Sequence, residues 1–417
     1  MLLRSVVLVA VGICFFAFAV PVATPAEPEK VPAQVDLRPE YKRFGLSPLA
    51  QGKRDVCSLF AVTSLAEFEL ARNSTVHPQR LSEEFLIWGA NAACGLKGDQ
   101  AMFVEAVQGL RHLGICTSSL MPYSNSSDPE RAPTGDAKAD AGHRRNWSVH
   151  WIKRWNVNTG LTSAQMHDIK HELAHDHPVA IGMRWPKSLH MSRQHVATTP
   201  PPAQVQDGHS VVLAGYRDDP EQPGGGLFIL RNSFGPDWAD EGYAYFPYAY
   251  VAEYGNDALS LRYEKPRADG HQPGPTFKVE GESLKVIEAQ RCRPVVQEMR
   301  KFGAGLWSDG KQLFCSAESG ATAVFEFAIA EPGRYDVDLD LTLGPDFGRL
   351  QVTFDGIAIN HEIDGFCGRV EPSGPLPLGT FDLKSNVHMV RISVVGKDEI
   401  SKGFHFGIDA IELIQRK

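Results

Sequence analysis

A cysteine becomes a nucleophile when its thiolate is stabilised at a helix N-terminus, when a base stands within hydrogen-bond reach and when a third group orients that base. Cys57 meets the first condition. It opens the run Cys57 to Arg72, in which Leu59, Phe60, Val62, Leu65, Phe68 and Leu70 are apolar nearly all round. That pattern predicts a buried helix, with Asp55 as its N-cap and a dipole that favours negative charge on the sulfur. A lone buried cysteine is more often inert, so the surroundings must decide. A second chemistry is also written in the chain. His171-Glu172-Leu173-Ala174-His175 has the H-E-x-x-H pattern, in which two histidines four apart on one helix face bind zinc and the glutamate acts as base. His167 extends that face, and His177 lies just beyond it. The bland reading is a solvated, histidine-rich helix face.

The segment Gln51-Gly52-Lys53-Arg54-Asp55-Val56-Cys57-Ser58-Leu59-Phe60 resembles the nucleophile segment of the papain family. Asp207-Gly208-His209-Ser210-Val211-Val212-Leu213-Ala214-Gly215-Tyr216 resembles that family's histidine strand. Leu230-Arg231-Asn232-Ser233-Phe234-Gly235-Pro236-Asp237-Trp238-Ala239-Asp240-Glu241-Gly242-Tyr243 resembles its asparagine strand and the glycine-rich loop that follows. The order Cys, His, Asn and the long first gap agree with the known pattern. Val35-Asp36-Leu37-Arg38, Leu81-Ser82-Glu83-Glu84, and Gly114-Ile115 followed by Met121-Pro122-Tyr123 fall in the same register. The resemblance covers about 230 residues, and its specificity comes from the motifs' order.

The resemblance implies acyl transfer. Cys57 attacks the scissile carbonyl, His209 exchanges the proton, Asn232 orients the imidazole, and the Gln51 amide with the Cys57 backbone N–H receives the oxyanion. Trp238 is expected to cover the His–Asn pair, and Gly98 to approach the substrate backbone. In isolation His209 would more often be a core histidine; Asn232 and Gln51 in register favour the catalytic role. Three positions depart from the family. Arg54 stands where a disulfide cysteine is usual, Ser58 replaces an aromatic residue, and Phe234 stands where tryptophan is common. The helix bearing His171 and His175 runs into Pro178-Val179-Ala180-Ile181, which resembles the family's lead into the second lobe and places that helix at the surface.

The elements expected around these residues are helices first and strands later. Ser82 starts a second helix that stops by Gly95. Asp99 starts a third, with Met102, Phe103, Ala106, Val107, Leu110 and Leu113 on one face and Gly114 at its end. A fourth begins near Thr162 and ends before Pro178. Val179 to Met183, His209 to Tyr216, Leu227 to Ser233 and Gly242 to Val251 read as strands. The fold class is an α+β, two-lobed, papain-like domain over 35–263, then a linker at 264–275, then an all-β, jelly-roll-like sandwich over 276–417. In that last region Tyr335, Val337, Leu339 and Leu341 alternate with Asp336, Asp338, Asp340 and Thr342. The aspartates are a polar strand face, with Ca²⁺ binding as the sharper alternative. Asp346-Phe347-Gly348, Phe354-Asp355-Gly356 and Phe406-Gly407-Ile408-Asp409-Ala410-Ile411-Glu412-Leu413 resemble galactose-binding-like or carbohydrate-binding modules.

Residues 1–26 read as a signal peptide: Arg4 precedes an apolar run to Ala19, and small residues follow. Residues 27–34 form a Pro/Ala-rich lead-in. The mature-like start near Val35 leaves no room for a long propeptide. Export permits disulfides. Of the seven cysteines, Cys14 leaves with the signal and Cys57 is reserved as the thiol; Cys94 with Cys116 is the bridge expected, and at least one of Cys292, Cys315 and Cys367 stays free. A net charge of −8 without basic runs excludes a nucleic-acid partner on electrostatic grounds. The expected protein is therefore a secreted, periplasmic or cell-surface cysteine peptidase. It needs no cofactor or metal and spans no membrane once the signal is gone. Its partners are protein or peptide substrates; for 276–417 the two readings are cell-surface polysaccharide binding and a purely structural accessory role. The alternatives are a catalytically silent papain-like binding protein and a zinc peptidase using His171, Glu172 and His175.

Overall fold

The structure, a computed structural model, describes residues 30–73, 79–264, 276–384 and 387–416. The expected signal peptide and all of the linker beyond Glu264 lie outside these. In chain order the first part contains β1 (Gln34–Asp36), α1 (Arg38–Arg43), α2 (Cys57–Arg72), α3 (Glu83–Cys94), α4 (Phe103–Leu113), α5 (Gly135–Gly142), β2 (Trp147–Lys153), α6 (Ser163–Ala174), β3 (Val179–Pro186), β4 (Val205–Asp218), β5 (Gly226–Arg231), β6 (Tyr243–Pro247), α7 (Tyr248–Tyr254) and β7 (Gly255–Tyr263).

Local chemistry explains most boundaries. Ser82 caps α3 by accepting from the Phe85 N–H, and Gly95 closes it in the left-handed region at φ 65°. Thr162 and Gln165 form a reciprocal capping box on α6. Two expected starts are corrected. The N-cap of α2 is Val56, which offers no side-chain acceptor; Asp55 does not cap it, so the helix end keeps bare N–H groups beside Cys57. The third helix starts at Phe103 rather than Asp99, because the Asp99 carboxylate is taken by Arg54. The last strand is also shorter than expected. After Pro247 the chain turns helical, and Tyr250, Val251 and Tyr254 bury a 3–4 spacing.

Seven antiparallel strands form the first sheet in the order β2-β7-β3-β4-β5-β6, with β1 on the side of β4. Two cores flank α2. One, around Leu59, Val62, Leu86, Phe103 and Leu110, belongs to the helical lobe. The other, around Tyr41, Phe68, Ile181, Leu213 and Phe228, belongs to the sheet lobe.

The second part contains β8 (Thr276–Glu280), β9 (Lys285–Glu298), β10 (Lys311–Ala328), β11 (Gly333–Leu343), β12 (Arg349–Phe354), β13 (Ile357–Ala358), β14 (Ile363–Asp364), β15 (Glu371–Leu383), β16 (Val387–Gly396) and β17 (Phe406–Arg416). The expected sandwich is built as one curled antiparallel sheet of ten strands. Strand β10 makes the curl: its first half pairs with β17 and its second half with β16, with a register break between Ala317 and Thr322 along β9. Tyr335, Val337, Leu339 and Leu341 point into the enclosed core, and the aspartates between them take the other face. Asp336 receives hydrogen bonds from Arg416 and Thr380. Among the described residues no group of three or more His, Cys, Asp or Glu has the arrangement of a metal site.

The two parts share a core. Cys94 and Val104 pack with Met299, Leu306 and Trp307. Arg154 pairs with Glu371, and Arg369 bridges Glu105 and Glu371. The cysteines are all free thiols among the described residues, which corrects the Cys94–Cys116 bridge: both are fully buried, but Cys94 belongs to this shared core and Cys116 to a cluster with Phe85 and Met121.

Candidate active site

Cys57 is the first residue of α2 and is partly buried. Burial pushes its thiol up, while the backbone N–H and hydroxyl of Ser210 pull it back down. The Ser210 hydroxyl also lies 3.0 Å from that of Ser58. Ser58, where an aromatic residue is usual, thus makes a buried polar contact between α2 and β4.

Ser210 follows His209 on β4, where Met183 of β3 is the cross-strand partner of the histidine. His209 Nε2 and Asn232 Oδ1 are 2.8 Å apart. The amide oxygen can only accept, so Nε2 carries the hydrogen and Nδ1 keeps its lone pair. Asn232 Oδ1 also accepts from the Ser233 N–H at 2.9 Å, which fixes the amide against rotation. Burial lowers the His209 pKa to about 4, and the bond to Asn232 works in the opposite direction.

Aromatic rings enclose this pair. Phe234 stacks on the imidazole, with centroids 4.9 Å apart and planes 23° apart. Trp185 meets it edge-on at 4.5 Å and is itself stacked on Phe246. Trp238 touches the edge of Phe234 at 5.6 Å. The cover expected of Trp238 is thus supplied by Phe234, and Trp238 props that cover from outside. Trp185 was not expected. The strand containing it continues two pairs past Met183, where the strand predicted from the sequence ends.

Gln51 is 7% exposed and joins the two lobes. Its Nε2 donates to the Arg54 carbonyl at 2.7 Å, its Oε1 accepts from the Ser233 hydroxyl, and its backbone N–H donates to the Ser233 carbonyl at 2.9 Å. The second Nε2 hydrogen takes no part in these bonds. Gly98 stands at φ 88°, with open space where a Cβ would lie, and Asn91 holds its carbonyl at 2.9 Å. Arg54, in the place of the usual disulfide cysteine, makes two hydrogen bonds to Asp99 and one to Glu84. An ionic tie joins the segments here.

The H-E-x-x-H segment lies at the end of α6, with His175 as its C-cap, and is corrected by its geometry. The His171 and His175 rings are neighbours, with centroids 4.2 Å apart. Glu172 turns away from them: it is 5% exposed and is bonded to His150 at 3.1 Å, to Arg262 at 2.6 Å and to Ser260. Burial works to raise its pKa, and these three partners overcome that and hold the carboxylate well below its usual range. A carboxylate so engaged is not a base for water on a metal at the other face. His177 is bonded to Glu69 and Arg72.

A family profile, papain family cysteine protease, matches residues 31–257. The chain belongs to the papain family of cysteine proteases. No curated protein matches it. Among solved structures, xylellain, a cysteine protease from Xylella fastidiosa, is 21% identical over 57% of this chain and 91% of its own, with a TM-score of 0.47. Procathepsin L 3 of the Tenebrio molitor larval midgut is 20% identical over 58% and 73%, at 0.41. The cysteine protease and lectin-like domains of Cwp84, a surface layer associated protein of Clostridium difficile, are 14% identical over 93% of this chain and 75% of that one, at 0.50. This last likeness extends through the second domain and bears on fold alone. Within this papain-family chain, the motif residues Gln51, Cys57, His209 and Asn232 all border the junction of the two lobes.

Proposed function

We propose that this papain-family protein is an exported peptidase that hydrolyses peptide bonds through a thioacyl intermediate on Cys57. The observation that carries the reading is the His209–Asn232 bond at 2.8 Å, with Ser210, the next residue, against the Cys57 thiol. His209 Nδ1 takes the thiol proton, and the sulfur attacks the scissile carbonyl carbon. The resulting oxyanion accepts from the free Gln51 Nε2–H and the Cys57 N–H. The imidazolium then gives its proton to the leaving amine as the C–N bond breaks. Water, deprotonated by His209, attacks the thioester and returns the enzyme. Gly98 borders the substrate backbone. Trp238 supports the site through Phe234. Residues 1–26 direct export, and residues 276–417 bind or target the protein to a surface polysaccharide.

A second reading, a silent binding domain, is favoured by one observation: burial drives both Cys57 and His209 towards their neutral forms. Alkylation separates the two. Iodoacetamide at mildly acidic pH modifies an ordinary thiol slowly, because the thiol is almost wholly protonated there. The peptidase reading expects fast, selective modification of Cys57 by peptide mapping, lost in His209→Ala, together with turnover of a peptide substrate that Cys57→Ala abolishes. Labelling of Cys57 no faster than that of the other thiols, without turnover, makes the domain a binder. Retention of the full chain on cell-wall polysaccharide tests the second domain, and absence of retention on every polysaccharide tried counts against it.

A further inference from the structure

The backbone of Arg54 and its side chain are engaged in two different places. Its carbonyl accepts the Gln51 Nε2–H at 2.7 Å. Its side chain is 4% exposed, and the guanidinium reaches Asp99 Oδ2 at 2.9 Å, Asp99 Oδ1 at 2.7 Å, Glu84 Oε2 at 2.7 Å and the Ser124 carbonyl at 2.8 Å. Tyr123 closes the loop between the two places. Its ring lies 5.1 Å from the Arg54 guanidinium carbon, and its hydroxyl donates to the Gln51 carbonyl at 2.7 Å. Both ends of the Gln51–Arg54 turn are therefore tied to one buried charge cluster.

The tie has a chemical consequence for the amide. An amide can sit in either of two orientations related by a flip, and the partners decide between them. The Arg54 carbonyl only accepts, so it forces Nε2 towards itself and Oε1 towards the Ser233 hydroxyl. The spare Nε2 hydrogen then has one direction. If the Arg54 carbonyl shifts, that direction is lost. A planar guanidinium bonded in two places to one carboxylate and in one to another holds such a carbonyl more firmly than a flexible ammonium does. The bonds from Arg54 keep the Asp99 carboxyl below its ordinary range, so that carboxylate stays ionised in mild acid. Asp99 also adjoins Gly98, which ties the open edge of the cleft to the same point.

We propose that Arg54, clamped by Asp99 and Glu84, is a positioning residue that orients the Gln51 amide for oxyanion binding. This rests on the peptidase reading above. The test compares two reactions of Cys57. Hydrolysis of a fluorogenic peptide amide forms an oxyanion; alkylation by iodoacetamide does not. Loss of a single oxyanion donor lowers turnover by about a hundredfold or more. Arg54→Gln is therefore expected to lower kcat at least about tenfold while KM and the alkylation rate move less than about twofold, and Arg54→Lys to recover part of the loss. In the double variant with Gln51→Ala, kcat should be no lower than in Gln51→Ala alone, since Arg54 acts through that amide. Equal losses in turnover and alkylation, multiplicative losses in the double variant, or an unchanged kcat would each overturn the clamp. Should Arg54→Gln fail to fold, Asp99→Asn, which leaves Glu84 in place, is read by the same ratio. A wild-type chain that neither turns over peptide nor alkylates rapidly at Cys57 sinks the peptidase reading, and the clamp with it; an active wild type with an indifferent Arg54 sinks the clamp alone.

Discussion

At the scale of single residues, the environment of His209 is a balance between burial and one hydrogen bond. Phe234 is 41% exposed, so one face of the ring meets solvent and the other shields the imidazole. Phe234→Ala should admit water to the His209–Asn232 bond and raise the His209 pKa from about 4 towards its ordinary value. The acidic limb of the kcat/KM profile should move upward with it. Trp238→Ala leaves Phe234 in place and should shift that limb less. A larger shift from Trp238→Ala would return the covering role to the tryptophan. For α6, Glu172→Ala removes the hydrogen bonds to the partly exposed Arg262 guanidinium and to buried Ser260 and should cost about 2 kcal/mol, the scale for a hydrogen bond to a charged group. The double change His171→Ala/His175→Ala should leave peptide turnover intact, and so should chelators. Denaturant unfolding checks the first expectation, and activity with and without chelator checks the others.

At the scale of elements, the second domain contacts the helix from which the cleft edge departs. Gly305 stands at φ 83°, and a Cβ there would lie 2.3 Å from the Ala93 carbonyl, near the C-terminal end of α3. Gly95, which closes α3, would meet Ala304 at 2.8 Å. Neither position admits a side chain without moving backbone. Gly305→Ala should therefore loosen the seat of Leu306 and Trp307 against Cys94 and Val104, at about 1–3 kcal/mol, the usual scale for overpacking. Because the Gly98–Asp99 segment follows α3 directly, turnover should fall as well, and calorimetry alongside peptide hydrolysis checks both. A stable variant with normal Tm would mean that the shared core tolerates separation here.

At the scale of the whole molecule, buried acids set the response to pH. Burial, aided by neighbouring carboxylates, raises Asp257 to about 7, Asp340 to about 7 and Asp409 to about 8. The latter two line a cavity of about 320 Å³ between the domains, with Arg111 and Lys278. In the unfolded chain such groups release their protons near pH 4. Between that value and 7–8 the native state binds more protons, so stability falls as pH rises. His209 acts the other way between about 4 and its ordinary value, because the native state there refuses a proton that the unfolded chain takes. Glu83 at about 8 and Asp338 at about 6 act with these acids, and the five together outweigh His209 and the likewise lowered His112. Below about pH 4 the unfolded chain takes up protons that the low-lying carboxylates of Asp99 and Glu172 refuse, so their contribution fades as the pH falls. The Tm should therefore be highest near about pH 5 and decline towards pH 8. Asp340→Asn/Asp409→Asn should flatten that decline; an unchanged slope would place its origin elsewhere.

What could be read from residue order alone was whatever depends on near neighbours. The Ser82 and Thr162 caps, the left-handed Gly95, the buried helix from Cys57, the alternation of Tyr335 to Leu341 and the order of Cys57, His209 and Asn232 all follow from spacings of a few residues or from motif sequence. Tertiary structure decided what depends on groups brought together from far apart. Asp99 left its cap for Arg54, forty-five positions away. Glu172 turned from its helix neighbours to Arg262, ninety positions on. Phe234 and Trp185, not Trp238, closed over His209, and Cys94 and Cys116 went to separate cores. A periodic pattern tells which face of an element is buried; it does not tell which distant element supplies the partner. For charged and aromatic side chains, whose interactions require a particular partner at a particular angle, that choice belongs to the packed molecule.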